Sequence, residues 1–243
     1  FSSGLFLWKI GIALATLGYQ EEVLFNIDKA IKYRSDYYAA WYCRSFVLLA
    51  LGRYEEAISS YDKVIEYKPD YYEAWYNRGL TLSALWRNEE AVSSYDKVIE
   101  FNPDDHKAWY SRGIALSTLG HYVEAISSYD RAIQFNSDDH EAWYYRGFAL
   151  MRLGRYDEAL ESFDRAIELK SDYADAHYQK ACCYALMDAV PEAVDCLSRA
   201  IALDPEYREM AKTDADFDAI RGEEWFRAAV EYSEGDGNSE QQP

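Results

Sequence analysis

Histidine and aspartate recur together in this chain in a pattern that could hold a metal ion or move protons. His106 and His140 each follow two consecutive aspartates, and the two histidines are 34 residues apart. Imidazole and carboxylate side chains in one place would suit a zinc site or general acid–base catalysis. Because the same three residues return at a fixed interval, the pattern favours two equivalent helix starts with capping aspartates and solvent-exposed histidines.

The four cysteines show no spacing that is typical of a metal site. Cys182 and Cys183 are neighbours, and Cys43 and Cys196 lie far from each other, so neither a CxxC pair nor a disulfide framework is present. We expect small buried or half-buried thiols in a reducing compartment. The sequence also lacks a Gly-rich phosphate loop and a nucleophile elbow. It therefore predicts a protein that is not an enzyme and has no metal or cofactor.

The charge of the chain limits its partners. Acidic residues outnumber basic ones by 43 to 25, which gives a formal net charge of −18. Nucleic-acid binding depends on Lys and Arg that displace counterions, so this balance argues against it and against an anionic membrane surface. No stretch reaches the roughly 18 apolar residues of a membrane span. We expect a cytoplasmic protein whose partner is a basic or apolar protein or peptide.

The start of the chain indicates a piece of something longer. It begins at Phe1 rather than Met, and its short apolar opening lacks the basic residues and cleavage site of a signal peptide.

Bulky and small residues return every 34 residues along the chain. A tryptophan occupies one position of this period, and a histidine occupies its last step: Trp41, Trp75, Trp109, Trp143 and His177. Alanine keeps the same interval at Ala57, Ala91, Ala125, Ala159 and Ala193. A fixed period of this length is the signature of a repeat architecture.

Each period reads as two helices joined by a tight turn. In the unit that starts at His106, Gly113 lies on the apolar stripe of a first helix, and Gly120 ends that helix in a left-handed conformation. We expect small Ala125 of the second helix to lie opposite Gly113, and Tyr129 to fill space toward the next unit. Trp86 replaces the turn glycine of its own unit, so we expect that turn to differ.

Aspartates precede the first helices at a constant position. These residues are predicted to cap the following helix through a side-chain oxygen. They are Asp36, Asp70, Asp104, Asp138 and Asp172.

The combined order of aromatic residue, glycine, leucine, glycine-x-tyrosine, alanine, aromatic residue, alanine and proline resembles the tetratricopeptide repeat. The resemblance implies an all-α fold, a right-handed α-solenoid of helix-turn-helix hairpins with a C-terminal closing helix. The Trp-Tyr-x-Arg-Gly motif is similar to that of bacterial, especially cyanobacterial, members.

The repeat divides the chain into four parts. A divergent unit is predicted at 4–37, and a closing helix region at 206–231 precedes a disordered acidic tail at 232–243. Between them, from residue 38 to about 205, we predict five units: 38–71, 72–105, 106–139, 140–173 and 174–207.

The resemblance also implies a binding surface, because first helices in this family line a concave groove that holds peptides or partner helices. One groove-facing register carries a ladder of tyrosines: Tyr42, Tyr76, Tyr110, Tyr144 and Tyr178. Further candidate groove residues lie beside it: Glu73, Asn77, Lys107, Glu141, Phe148 and Arg152. Of the family's clamp for a terminal carboxylate only Asn77 and Lys107 match, which argues against chaperone-tail binding.

Three features of this surface have two interpretations each. The tyrosine ladder either contacts a ligand or packs between neighbouring first helices. The basic column formed by Arg44, Arg78, Arg112, Arg146 and Lys180 either binds ligand carboxylates or pairs with acidic neighbours, and the acid-rich chain favours pairing. Trp86 is either an exposed binding hot spot or locally buried.

The sequence thus predicts a protein-interaction scaffold that binds a peptide or partner segment in its groove. A second hypothesis is self-assembly, because apolar Leu5, Phe6 and Trp8 have no polar cap ahead of them and could form a homo-oligomer contact. A third hypothesis makes the array the docking arm of a larger enzyme whose catalytic part lies elsewhere.

Overall fold

The computed structural model describes residues 19–231, and all regular secondary structure in that range is helical. The chain divides after His121 into two compact units. The predicted all-α class with helix-turn-helix hairpins is therefore confirmed. Most of the predicted 4–37 unit's first helix, with Leu5, Phe6 and Trp8, lies outside the described residues, and so does the tail predicted for 232–243.

The first unit is a series of antiparallel helices in which each described helix packs against the next. Its described helices are α1 (Gln20–Tyr33), α2 (Tyr38–Ala50), α3 (Tyr54–Tyr67), α4 (Tyr72–Ala84), α5 (Asn88–Phe101) and α6 (His106–Thr118). Helices α2, α4 and α6 are the first helices of hairpins, and α4 also contacts α6 directly.

The second unit repeats this arrangement and then departs from it. Its described helices are α7 (Tyr122–Phe135), α8 (His140–Arg152), α9 (Tyr156–Leu169), α10 (Ala174–Leu186), α11 (Val190–Leu203), α12 (Glu206–Thr213) and α13 (Glu224–Glu231). A 3-10 turn at Ala215–Phe217 packs on α10, and α12 and α13 pack on α11. Residues 206–231 therefore close the apolar face of the last hairpin.

An aromatic ring lies against a glycine inside each hairpin where the contact is described. A Cβ atom added to Gly79 would lie 2.6 Å from Cε1 of Tyr95, and one added to Gly147 would lie 2.7 Å from Cε1 of Phe163. Real Cβ atoms do not approach that closely, so only glycine fits. In these two hairpins the aromatic ring takes the place opposite the glycine, and the expectation that Ala125 lies opposite Gly113 stays a prediction. Both rings, Tyr95 and Phe163, are fully buried in this position.

A basic side chain on the first helix joins two second helices in three of the described hairpins. In α4, Arg78 donates from Nε to Asp62 of α3 at 2.7 Å and from Nη1 to Ser94 of α5 at 2.7 Å. The same pair of hydrogen bonds, to an aspartate and a serine, recurs at Arg44 one repeat earlier and at Arg146 in the second unit. Ion pairs with aspartate also hold Arg112 and Lys180. The predicted pairing of this column is confirmed, and charge-assisted bonds make it a link between consecutive hairpins.

Helix capping differs from the prediction. Asp105 and Asp139 cap α6 and α8, with Asp105 accepting from the Ala108 amide at 3.1 Å. The N-cap positions of α2, α4 and α10 are held by tyrosines without a side-chain cap bond. The predicted caps were placed one residue too early, because a cap must immediately precede the first helical residue. The residues that were predicted as caps, and are not, are Asp36, Asp70, Asp104, Asp138 and Asp172.

The turn at Trp86 follows the same path as the glycine turns, contrary to the prediction. Trp86 has φ 61°, while Gly52, Gly120 and Gly154 have φ between 72° and 79°. Its amide donates to the Ser83 carbonyl at 3.0 Å, as the Gly52 amide does to Leu49. The hydrogen bonds of the turn therefore hold Trp86 in the left-handed region, where bulky side chains are rare.

The repeated tryptophan ties each first helix to the loop before it. The indole N–H of Trp75 donates to the Pro69 carbonyl at 2.9 Å, and Trp143 donates to Ser137 at 3.0 Å. His177 fills the same position, as predicted, with Nε2 at 3.4 Å from the Ser171 carbonyl. Burial lowers the pKa of His177 from its ordinary value of 6.5, and Arg199 and Lys180 lower it further. The histidine is thus a weaker substitute for tryptophan.

The glycine contact predicts the effect of one methyl group. Gly79→Ala should lower the free energy of unfolding by about 1–3 kcal/mol through overpacking against Tyr95, even though alanine is the better helix former by about 1 kcal/mol. Gly222→Ala is the matched control, because nothing lies within 4 Å of its added Cβ. Urea unfolding would measure both variants, and equal midpoints would contradict the contact.

The tryptophan position predicts a pH dependence. Because the folded-state pKa of His177 lies below its unfolded value, protonation favours the unfolded chain. Its contribution to stability is complete above about pH 6.5 and is lost as the pH falls through the folded-state pKa. The melting temperature of the wild type should fall more between pH 7.5 and 5 than that of His177→Trp. Parallel curves for the two proteins would show that His177 does not carry this dependence.

Candidate functional site

The sequence-predicted site residues of the first unit lie on first helices, where the 34-residue step brings equivalent positions of α2, α4 and α6 into rows. Tyr42, Tyr76 and Tyr110 form one row and are half-buried. Phe46, Leu80 and Ile114 form a second row, one helical turn further along each helix. We call these six residues the first-helix surface.

The tyrosines of this surface are largely committed to packing. The ring of Tyr42 lies 4.8 Å from that of Phe46 and 5.0 Å from that of Tyr71, measured between centroids. Tyr76 packs on Tyr95 at 5.9 Å. Such ring contacts stabilise the fold and fix each ring. This geometry favours the packing interpretation of Tyr42 and Tyr76.

The tyrosine hydroxyls link one repeat to the next. The Asn77 amide donates to the Tyr42 hydroxyl at 3.0 Å, and the Tyr76 hydroxyl lies 3.4 Å from that of Ser111. Burial, followed by the nearby Tyr71, raises the pKa of Tyr42 above its ordinary value, and burial raises the pKa of Tyr95 to about 12. These hydroxyls therefore stay neutral at physiological pH.

The polar candidates beside the rows differ in what they can offer to a ligand. Asn77 donates its second amide hydrogen to the Glu73 carbonyl at 2.8 Å, so both of its hydrogens are used and only its carbonyl oxygen is free to accept. The Lys107 side chain is exposed, and its ammonium group has no ion-pair partner among the described residues. Glu73 is half-buried. Lys107 is the donor best placed to meet a ligand.

Leu80 is the apolar side chain that this surface leaves open. It is 42% exposed on α4, while its row neighbours Phe46 and Ile114 are half-buried. Single exposed leucines are common in proteins. Here, however, the leucine lies in a row with two further apolar side chains and beside Tyr76. The row is therefore an apolar strip with one accessible residue in its centre.

The second unit carries the remaining groove candidates on α8 and α10. The ring of Tyr144 lies 5.1 Å from that of Tyr173 and 5.0 Å from that of Tyr145, so it too is packed. Phe148 is half-buried, and Glu141 is exposed. Arg152 is exposed at the end of α8, with its guanidinium 6.0 Å from the Tyr122 ring centroid.

Tyr178 is not available to a ligand, which corrects its prediction as a groove residue. It is 2% exposed, because Tyr207 of α12 stacks on its ring at 4.6 Å and Phe217 packs on it at 5.7 Å. Its hydroxyl donates to Asp214 at 2.8 Å. The closing segment, residues 206–231, thus covers the first-helix row at α10. The repeat pattern alone could not indicate this, because the segment lies outside the repeat.

A cluster that the sequence did not predict lies where this segment meets α10. One ligand atom from each of Cys182, Asp214 and Asp216 lies within 4.8 Å of the other two. Asp214 accepts from the Tyr178 hydroxyl and from the Asp216 amide, and burial raises the pKa of the Cys182 thiol. These bonds identify the cluster as the attachment of the closing segment. All four thiols are buried or half-buried, as predicted.

Among residues 19–231, none of the helices combines the length and the hydropathy that a membrane span requires.

Family models match most of the repeat region. One model, described as tetratricopeptide repeat, matches more than half of the chain, at residues 26–65, 83–140 and 110–174. A second tetratricopeptide repeat model matches residues 150–215, and a model described as TPR repeat matches 47–85. No curated protein is similar enough in sequence to match this chain.

Solved structures with similar folds cover most of the chain. The crystal structure of YrrB, described as a TPR protein with an unusual peptide-binding site, is 26% identical, has a TM-score of 0.66, and covers 74% of this chain and 93% of its own. The crystal structure of MamA is 23% identical, with a TM-score of 0.65 and coverage of 68% and 96%. MamA 41-end from Desulfovibrio magneticus RS-1 is 21% identical, with a TM-score of 0.61 and coverage of 71% and 98%. The two MamA structures show a likeness in fold alone.

Proposed function

Because the chain belongs to the tetratricopeptide-repeat family, we propose that it is a protein-interaction scaffold whose first unit binds an extended peptide segment on α2, α4 and α6. The observation that carries this proposal is the exposed Leu80 in the centre of the apolar row. An extended ligand segment that covers Leu80 and crosses the neighbouring first helices would also contact the half-buried Phe46 and Ile114. Burial of apolar area is the main favourable term in such an association.

The packed tyrosines support the proposal because they would form a rigid, preformed surface beneath the peptide. They would not adapt their conformation to the ligand. Tyr42 and Tyr76 are fixed by ring contacts and by hydrogen bonds to the next repeat. A surface that is already ordered loses little side-chain entropy when a ligand arrives. The ligand still has to become ordered, so an affinity on the order of micromolar is expected.

Lys107 gives the surface a polar contact at its edge. Its free ammonium can pair with a carbonyl or carboxylate oxygen of the bound segment, which would set the direction of the segment. Acidic residues elsewhere on the chain, which carries a net charge of −18, favour ligands without a large negative charge of their own. The expected ligand is therefore an apolar segment with few acidic residues.

One further observation supports peptide binding, and another favours the first unit as its place. YrrB, which is 26% identical to this chain, is described as having a peptide-binding site. In the second unit the corresponding row is shortened, because the closing segment covers Tyr178.

The other two hypotheses from the sequence gain no such support. Self-assembly rests on Leu5, Phe6 and Trp8, which lie outside the described residues. A docking arm of a larger enzyme would use the same first-helix surface and would differ only in what is attached to it.

The proposal predicts that one substitution removes peptide binding without unfolding the chain. Peptides of random sequence displayed on phage would be selected on the wild-type protein, and Leu80→Glu should weaken the selected peptides about tenfold or more, because it places a charge in the apolar row. Val123→Glu is the matched control, since Val123 is 62% exposed on the second helix α7. Circular dichroism would establish that both variants are folded.

Equal affinity of wild type and Leu80→Glu for the selected peptides would refute binding on the first-helix surface. An equal loss with Val123→Glu would do the same, because that residue lies on a second helix.

A further inference from the structure

Trp86 stands out as a large side chain in a place that other hairpins give to glycine. It lies in the turn between α4 and α5, with φ 61°, and is 79% exposed. The equivalent residues of three hairpins are glycines, and that of the last one is Asp188, with φ 59°. Aspartate tolerates the left-handed region better than most residues, whereas tryptophan does not.

The hydrogen bonds that hold Trp86 in this conformation do not depend on its side chain. The Arg87 amide donates to the Leu82 carbonyl at 3.0 Å, just as the Arg53 amide donates to Leu48 at 2.9 Å in the glycine turn before it. The turn therefore forms equally well with glycine, and the exposed indole gains little burial in return. Strain that the fold does not need is a pointer to function when an observed outlier carries it.

The charges around Trp86 are mainly negative. Arg87, the next residue, is held by Glu90 through two bonds of 2.6 and 2.7 Å and by Glu55 at 2.9 Å. Its single positive charge is thus offset by two carboxylates. Glu89 is exposed in the first turn of α5, and its carboxylate has no hydrogen-bond or ion-pair partner in the described part of the chain.

We infer that Trp86 is a second anchor, which binds a basic segment of a partner protein by holding a Lys or Arg side chain over its indole ring. A cation over the face of tryptophan is attracted by the ring quadrupole, and tryptophan is the best of the aromatic residues for this contact. The free carboxylate of Glu89 supplies an ion pair for a second basic group of the same segment.

A second copy of the chain does not fit this place. Each copy carries a net charge of −18, so two acidic turns would repel each other. The anchor also differs from the first-helix surface in position and in ligand, since it lies beyond the end of α4 and takes a basic rather than an apolar segment. One chain can therefore hold two different segments.

The test uses the full chain and a fluorescein-labelled ten-residue peptide of alternating Arg and Gly, followed by fluorescence anisotropy at low salt. Trp86→Gly should weaken binding about three- to fivefold, and Trp86→Leu should do the same because it keeps apolar bulk but has no aromatic face. Trp225→Ala, at a tryptophan that is 63% exposed on α13, should bind as the wild type does. Glu89→Gln should weaken binding about twofold.

The melting temperature distinguishes a variant that has lost the anchor from a variant that has lost its fold. Because glycine relieves the backbone strain, Trp86→Gly should melt about 2–4 °C above the wild type. Full affinity of Trp86→Gly for the peptide would overturn the inference, and so would full affinity of Trp86→Leu. Equal binding of a peptide with norleucine in place of arginine would overturn it as well, and light scattering that shows a Trp86-dependent dimer would replace it with self-association.

Discussion

The close approach of an aromatic ring to a glycine is the contact on which the hairpins of Gly79 and Gly147 depend. Where Tyr95 lies on Gly79, there is no room for a Cβ atom, so the two helices approach each other closely at this point. That distance sets where the next first helix can pack. The 34-residue period reflects this constraint where glycine and the aromatic residue recur together, while Ser45 and Ala181 take the glycine position in the hairpins that start at Tyr38 and Ala174.

Two further contacts continue the order from hairpin to hairpin. Arg78 joins α3 to α5 across its own helix, and the Tyr42 hydroxyl receives a hydrogen bond from Asn77 of the next first helix. These links use the repeated arginine and the tyrosine of the first-helix row. The side chains left for a ligand are the exceptions to the repeat, chiefly Leu80, Lys107 and Trp86, and this is why the two proposed sites involve residues that vary between units.

The sequence predicted the fold class, the family and the pairing of the arginine column, because each follows from residue types that recur at a fixed interval. It failed where geometry depends on one residue or on a segment outside the repeat. The capping aspartates were misplaced by a single position, which spacing alone cannot resolve. Trp86 was expected to change its turn, but the hydrogen bonds of the turn proved stronger than the preference of the side chain. Tyr178 belonged to the ladder by spacing, yet Tyr207 and Phe217 cover it.

Peptide binding on the first helices of the first unit would bring the peptide against Leu80 and Ile114. Its most direct test is methyl-labelled NMR of the full chain with a selected peptide, which reports contacts to individual side chains. We expect intermolecular nuclear Overhauser effects from the peptide to the methyl groups of Leu80 and Ile114. We expect none to Val64 or Val98, which are buried side chains of the second helices α3 and α5. Intermolecular contacts confined to second helices, with Leu80 and Ile114 unaffected, would contradict the account.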